Sequence, residues 1–419
     1  MKRTIENLVS VIGGEAMVRV ANFAAALVIA RVHGAFVFGL YATSLATATV
    51  AVMFADNGLQ TSAMTELGNN RQASNNVIGQ LYLAKTALIM VTLVLLLGIG
   101  LWLDISHFAW MVGALVTLRT IIQSYSQLQM SMLKSTGRMK VIGVIQSIHS
   151  AILLCGTGLA FKHGWGVLGL LGLLVAGQTL EAVLLARSLW RAGIWPTWPG
   201  AGSCWSLILR STPLGIGYGL ANLIVRLDTI VLAALIPMSE MGQFSAADMI
   251  LVIIYVVAWL SGSVLLPEMI RRAGMPGHLH TYIKKWTRLV LVTVTPCALL
   301  GYWLVPKIIP FLYGPLFSRA GALASLMLLA TPFILLNSVH ANRAIATGSR
   351  ATYLGVFALT AVVTLALNYV LDHSLGAKGA AAAIVIRELG MFAGFWMLAS
   401  RAPGPAPQFS PSPYIESGR

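Results

Sequence analysis

Charge is scarce in this chain. Only 10% of its 419 residues are Asp, Glu, Lys or Arg, against about 25% in a soluble globular domain. So few charges cannot cover a water-facing surface of this size, which excludes an ordinary soluble enzyme and a disordered chain. Acidic groups are scarcer still, 13 against 28 basic ones. There are three cysteines, Cys155, Cys204 and Cys297. Their number is odd and none has a CxxC partner, so neither a disulfide framework nor a thiolate metal cluster is expected. The sequence has no N-x-Ser/Thr sequon, and no small-residue cleavage site follows Met1-Lys2-Arg3 as in a signal peptide. Also missing are a GxxxxGK[ST] loop, a GxGxxG turn after a strand, HExxH and a recognisable Ser/His/Asp set. We therefore expect no catalytic residues, cofactor, metal or nucleotide.

Apolar residues are abundant, at 57% of the chain. A bilayer-spanning helix needs about 20 mostly apolar residues, and about twelve such runs are present. They lie near 8–31, 36–62, 77–103, 108–132, 140–161, 166–190, 207–235, 241–266, 286–305, 322–343, 352–371 and 377–400. Runs such as Ala87 to Leu97 are continuously apolar rather than alternating, which excludes a membrane β-barrel. The expected fold is an all-α polytopic membrane protein. The net charge of +15 is scattered between the runs, which argues against a nucleic-acid partner. With a cytoplasmic N-terminus, seventeen of the 28 basic residues fall on the cytoplasmic side. Five fall opposite (Arg31, Lys162, Lys307, Arg319, Lys378) and six inside spans. That bias places both termini in the cytoplasm.

The stretch 191–206 is rich in Trp, Pro and Gly and halves the chain. It divides a first lobe (1–190, spans 1–6) from a second (207–401, spans 7–12), followed by a Pro-rich tail at 402–419, expected to be disordered. The halves resemble each other weakly. Gly39-Leu40-Tyr41 matches Gly242-Gln243-Phe244, Thr65-Glu66-Leu67 matches Pro267-Glu268-Met269, and Thr136-Gly137 matches Thr347-Gly348. The order and similar offsets suggest a duplicated six-helix unit, a parallel repeat about an axis along the membrane normal.

Ionisable groups inside spans are costly and mark functional positions. Span 1 carries Glu15, Arg19 and Asn22 on one face, and span 7 carries Tyr218, Asn222 and Arg226 likewise. Both have glycines at matching depth, Gly13 and Gly14 against Gly215 and Gly217, which marks them as moving, substrate-lining helices. The alternative is lobe-sealing ion pairs and close helix packing. Arg119, Gln123 and Gln127 on span 4 and Asn337, His340 and Arg343 on span 10 form either a hydrophilic wall near the cytoplasmic mouth or interhelical hydrogen bonds. Asp228, Asp248 and Glu15 are candidate ion-coupling groups. Glu181 and Glu388 carry the same alternatives of proton or sodium site and local charge balance. His149, near Gln146, reads as a core histidine.

Ala30-Arg31-Val32-His33-Gly34, Phe38-Gly39-Leu40-Tyr41, Asp56-Asn57-Gly58-Leu59 and Thr65-Glu66-Leu67 resemble the start of polysaccharide-biosynthesis flippases, the Wzx-type members of the MOP superfamily. The resemblance covers most of the chain in layout and the first 70 residues in motif. It implies two pseudo-symmetric, MATE-like six-helix lobes around a central cavity. It also implies flipping of an undecaprenyl-pyrophosphate-linked oligosaccharide to the outer leaflet of a bacterial inner membrane by alternating access. Membrane lipids are then partners, and a polysaccharide polymerase complex is a candidate one. Arg31, Gly34, Asp56 and Gly58 map onto its turn motifs and read as turn and packing elements. Arginine suits a pyrophosphate because its charged fork persists at every physiological pH. Arg19 and Arg226 are the candidate binders, Arg119 and Arg343 guides, and Asn22, Gln123, Asn222 and Tyr218 sugar contacts. Two other readings stay open: a MATE-like exporter of organic cations through Asp228 and Asp248, and a non-transporting scaffold of an assembly complex.

Overall fold

The computed structural model describes residues 2–69, 75–102, 105–197, 201–273, 275 and 277–401. All regular structure among them is helical. The helices are α1 (Lys2–Asp56), α2 (Leu59–Asn69), α3 (Asn75–Trp102), α4 (His107–Ser135), α5 (Met139–Lys162), α6 (Val167–Trp190) and α7 (Ala201–Ala233). They continue as α8 (Met238–Ala273), α9 (His278–Leu289), α10 (Thr295–Tyr313), α11 (Ser318–Leu328), α12 (Thr331–Ala346), α13 (Arg350–Leu375) and α14 (Ala377–Arg401). A π-helical turn, Val290–Val294, joins α9 to α10.

Eight of these helices are long and apolar enough to cross a membrane, nine if the bent pair α11–α12 is one span. At about 1.5 Å per residue, the 55 residues of α1 would reach about 80 Å, far beyond the roughly 30 Å of bilayer hydrocarbon. Gly34 divides it, with φ 78° and ψ −179°, a conformation open to glycine alone. Counting the bent pair as one span, α9 through α10 as one and α1 as two, and adding the long but more polar α4 and α7, recovers the twelve expected runs. Three details differ from the expectation. The second run breaks at Asn57-Gly58, both at positive φ, and resumes as α2 to Asn69. The run at 286–305 begins as the amphipathic helix α9, whose Ile283 packs with Leu265, Met269 and Val339 while Lys284, Lys285 and Arg288 are exposed. The expected linker narrows, because helix resumes at Ala201. The tail 402–419 lies outside the described residues.

Among the described residues two compact units emerge, one reaching to 245 and including 311–317, the other of 246–310 with 318–401. The first is built on α1 packed along α5 and α4, with α7 against α1, α2 and α3. Its core includes Leu59, Leu81, Leu128, Met132, Leu133 and Leu185. The second rests on α14 packed against α13, α12 and α11. The expected division of the chain into six-span lobes at 191–206 follows chain order instead.

The duplicated Thr-Gly corners fold identically. At the first, Gly137 N donates to Lys134 O at 3.1 Å and Arg138 N to Leu133 O at 3.0 Å. At the second, Gly348 N donates to Ile345 O at 3.1 Å and Ser349 N to Ala344 O at 2.9 Å. Both glycines are left-handed, at φ 75° and 71°. Each corner is a Schellman stop, satisfying the orphan carbonyls of its helix. The other duplicated corner brings its copies together. A Cβ on Gly39 would strike the Met238 carbonyl and lie 2.8 Å from Gly242 N, and one on Gly242 would strike the Ala35 carbonyl. Each glycine lets the other helix approach backbone to backbone.

Candidate functional site

The first unit holds a chain of buried and half-buried polar side chains between its apolar helices. Lys85 of α3 is fully buried and ion-paired with Asp56 at the end of the long helix. Asp56 also accepts hydrogen bonds from Ser124 Oγ at 2.7 Å and Gln60 Nε2 at 3.2 Å. Gln60 in turn donates to Gln127 Oε1 at 3.0 Å. The Lys85 ammonium lies 5.7 Å from the Tyr125 ring centroid. Desolvating a lysine is expensive unless its partner is fixed and further hydrogen bonds complete the set, and this network meets both conditions.

The corner after Asp56 seats α7. Asn57 Nδ2 donates to Thr212 Oγ1 at 2.9 Å, and the Ser62 and Ser211 hydroxyls are 2.8 Å apart. A Cβ on Gly58 would lie 2.7 Å from Gly215 N, and one on Gly215 would lie 2.8 Å from Gly58 N. Gly58 and Gly215 are therefore close-packing positions, and Gly58 is also a turn at φ 76°. Gly14 packs likewise: a Cβ there would lie 3.1 Å from the Gly143 Cα of α5. Gly13 is exposed, with open space beside it. Gly217 and Tyr218 belong to α7 but fall outside the residues whose side-chain surroundings are described.

The candidate binding residues are held differently. Arg119 is buried and donates from Nη2 to Asn22 Oδ1 at 2.5 Å, joining α4 to α1. Glu15 pairs with Lys134 at 3.6 Å, both partly exposed. Gln123 is half-buried. Arg19 is exposed and Arg226 half-buried, and neither has an ion pair or hydrogen bond among the described residues. Asn222 and Asp248 are half-buried and Asp228 is buried, and all three are engaged. Arg31 donates from Nη1 to Leu312 O at 3.3 Å, neutralising orphan carbonyls at the end of α10. Beside it, Phe38, Tyr313 and Phe317 form an aromatic cluster with centroids 5.5–6.1 Å apart.

The second unit carries its own polar centre. Glu388 Oε1 accepts from Tyr255 Oη at 2.8 Å and from Arg387 Nη2 at 3.2 Å. Asn337 Nδ2 donates to Glu388 Oε2 at 2.8 Å. His340 sits edge-on to Phe392 and Trp396, while Arg343 is half-buried and engaged. The sequence reads Asp56 as a turn and packing element and His149 as a core histidine without naming its partner. The structure makes Asp56 the half-buried hub of a polar network and sets His149 Nδ1 3.2 Å from Glu181 Oε2. The available signal was the unmatched Lys85 and Glu181, each inside a span and each needing a partner.

The fold is shared with known membrane transporters. The lipid II flippase MurJ, in an inward closed conformation, superposes with a TM-score of 0.74 at 14% identity, covering 92% of this chain and 86% of its own. A multidrug resistance MATE family transporter in an inward-facing conformation gives 0.70 at 14%, covering 93% and 98%. A MOP superfamily transporter from Pyrococcus furiosus gives 0.60 at 14%, covering 96% and 95%. These likenesses define the class: a multi-pass α-helical membrane protein of the MOP (MATE-like) fold. No curated protein matches the chain. The model of the polysaccharide biosynthesis protein family matches residues 5–272, and the chain belongs to that family.

Proposed function

We propose that the protein flips an undecaprenyl-pyrophosphate-linked oligosaccharide from the cytoplasmic to the outer leaflet of a bacterial inner membrane by alternating access. One observation carries the reading. Lys85, Arg119 and Arg387, three of the cations inside spans, are tied to protein partners. Arg19 and Arg226 have none among the described residues. A guanidinium within a membrane-spanning helix is costly to leave unpaired, and a pyrophosphate is the anion its fork fits. Family membership and the flippase fold support the same substrate class. Arg119 and Arg343 serve as guides, with Asn22, Gln123, Asn222 and Tyr218 facing the sugar. The lobes divide at 191–206, both termini are cytoplasmic, and the protein serves a polysaccharide polymerase complex.

The fold likeness to a MATE transporter favours one second reading, export of organic cations through Asp228 and Asp248. Against it, Asp228 is 3% exposed and both carboxylates are already engaged. The deciding assay is flipping of a fluorescent polyprenyl-pyrophosphate oligosaccharide in proteoliposomes. Arg19→Ala and Arg226→Ala should each slow flipping at least about tenfold at normal protein level, the loss of one charge-assisted contact of about 1.5 kcal/mol or more. Wild-type rates in the double variant would overturn the assignment. Binding of a lipophilic cation, abolished by Asp228→Asn, would replace it with the exporter.

A further inference from the structure

A second buried pair lies within the first unit. His149 of α5 and Glu181 of α6 are 1% and 4% exposed, and Nδ1 faces Oε2 at 3.2 Å. Around them α6 contributes Gln178, whose amide donates to Glu181 Oε2 at 2.5 Å, and α4 contributes Ser126, which accepts from the same amide at 3.3 Å. Gly177 borders the ring: a Cβ there would make ordinary contact with His149 Cδ2 at 3.5 Å and would crowd Leu153 Cδ2 at 2.7 Å. Neither imidazole nitrogen makes a hydrogen bond among the described residues. Nδ1 is within ion-pair range of the Glu181 carboxylate, but Nε2 is a buried nitrogen without a partner among the described residues, and such a group requires an explanation. Sealing a helix interface does not need two ionisable groups, since a buried ion pair adds little net stability over apolar packing.

We propose that His149 and Glu181 form a one-proton site through which the translocation cycle is coupled to a proton gradient. Imidazole is the side chain that ordinarily changes charge near neutrality, and a carboxylate beside it shares its titration. Loading adds one proton from water to the pair and places it between Nδ1 and Oε2. The pair passes from net negative to net neutral, and release returns the proton to water. No other bond changes. Apart from Arg19, the charged groups on the adjoining helices that face this region are held by partners, Asp56 of α1 by Lys85. On α4, Arg119 lies two turns from Ser126 and is held by Asn22, while α4 Lys134 and α1 Glu15 pair with each other. α1 touches α5 through Gly14 at Gln146 and through Met17 at Ser147. Arg19, also on α1, is exposed. The pair is thus a titratable couple among neutral donors and acceptors, placed where burial can change with helix packing.

The coupling role rests on the transport reading above; the site itself does not. The first measurement therefore needs no substrate: proton uptake by full-length purified protein after a pH drop from about 8 to about 5, read with an impermeant indicator. Wild type should take up one proton more than Glu181→Gln or His149→Gln. Equal uptake would overturn the site. Glu181→Asp, which keeps the carboxylate, should retain the uptake and controls for variants that fold poorly. The second measurement is flipping of the same fluorescent lipid-linked probe with and without an imposed pH gradient. Stimulation in wild type that vanishes in both variants supports coupling. Stimulation that persists in them overturns it. A wild type that takes up the proton but moves no probe would count against the proposed function and leave the site standing.

Discussion

The two units neutralise their buried charges in different ways. In the second, the pair is Arg387–Glu388, neighbours on one helix, with Tyr255 and Asn337 completing the set. In the first, Asp56 meets Lys85 from 29 residues away and Ser124 from 68, at a break between helices. A pair of neighbours is formed as soon as its helix is formed. A pair drawn from three helices exists only when those helices are docked, so it reports on packing. That difference matters because the Asp56 corner also seats α7, the helix that carries Arg226.

The comparison predicts its own most damaging substitutions. Lys85→Leu leaves Asp56 without its counter-ion in a tertiary network and should cost about 3–5 kcal/mol, visible as a fall in detergent melting temperature and yield. The double variant Lys85→Leu/Asp56→Leu should recover much of that loss, because the uncompensated charge is gone. No recovery would mean that the network is valued for more than neutrality. Overpacking the close approach comes next. Gly215→Val drives a branched side chain against the Asn57–Gly58 backbone, 2.5–2.8 Å from the added Cβ, at about 1–3 kcal/mol. The same change at exposed Gly13 should be near neutral by thermal melting. The smallest effect belongs to the second unit. Tyr255→Phe removes one of several donors to Glu388 and should cost about 0.6 kcal/mol, the average for such bonds in membranes. A loss as large as that for Lys85 would show that the local pair depends on its tertiary partners after all.

Much of this architecture was legible without coordinates. Apolar run length required membrane helices, because the bilayer leaves the backbone no partner but itself. The duplicated Thr-Gly corners were legible because a Schellman stop is a local hydrogen-bond pattern that needs glycine at one position. The adjacent Arg387 and Glu388 could be read as charge balance directly from their spacing. What the sequence left open was every choice between helices. It placed Arg19, Arg119 and Arg226 inside spans, two as candidate binders and Arg119 as a guide or an interhelical hydrogen-bond partner, without showing what each would meet. Tertiary packing tied Arg119 to Asn22 and left the other two without partners among the described residues. It placed His149 and Glu181 32 positions apart on separate runs, and only the docking of α5 on α6 made them a pair. Periodicity fixes which face of a helix a side chain occupies, but not which helix it will face. That is decided by close approaches such as Gly14 on Gly143 and Gly58 on Gly215, where missing side chains select the neighbour.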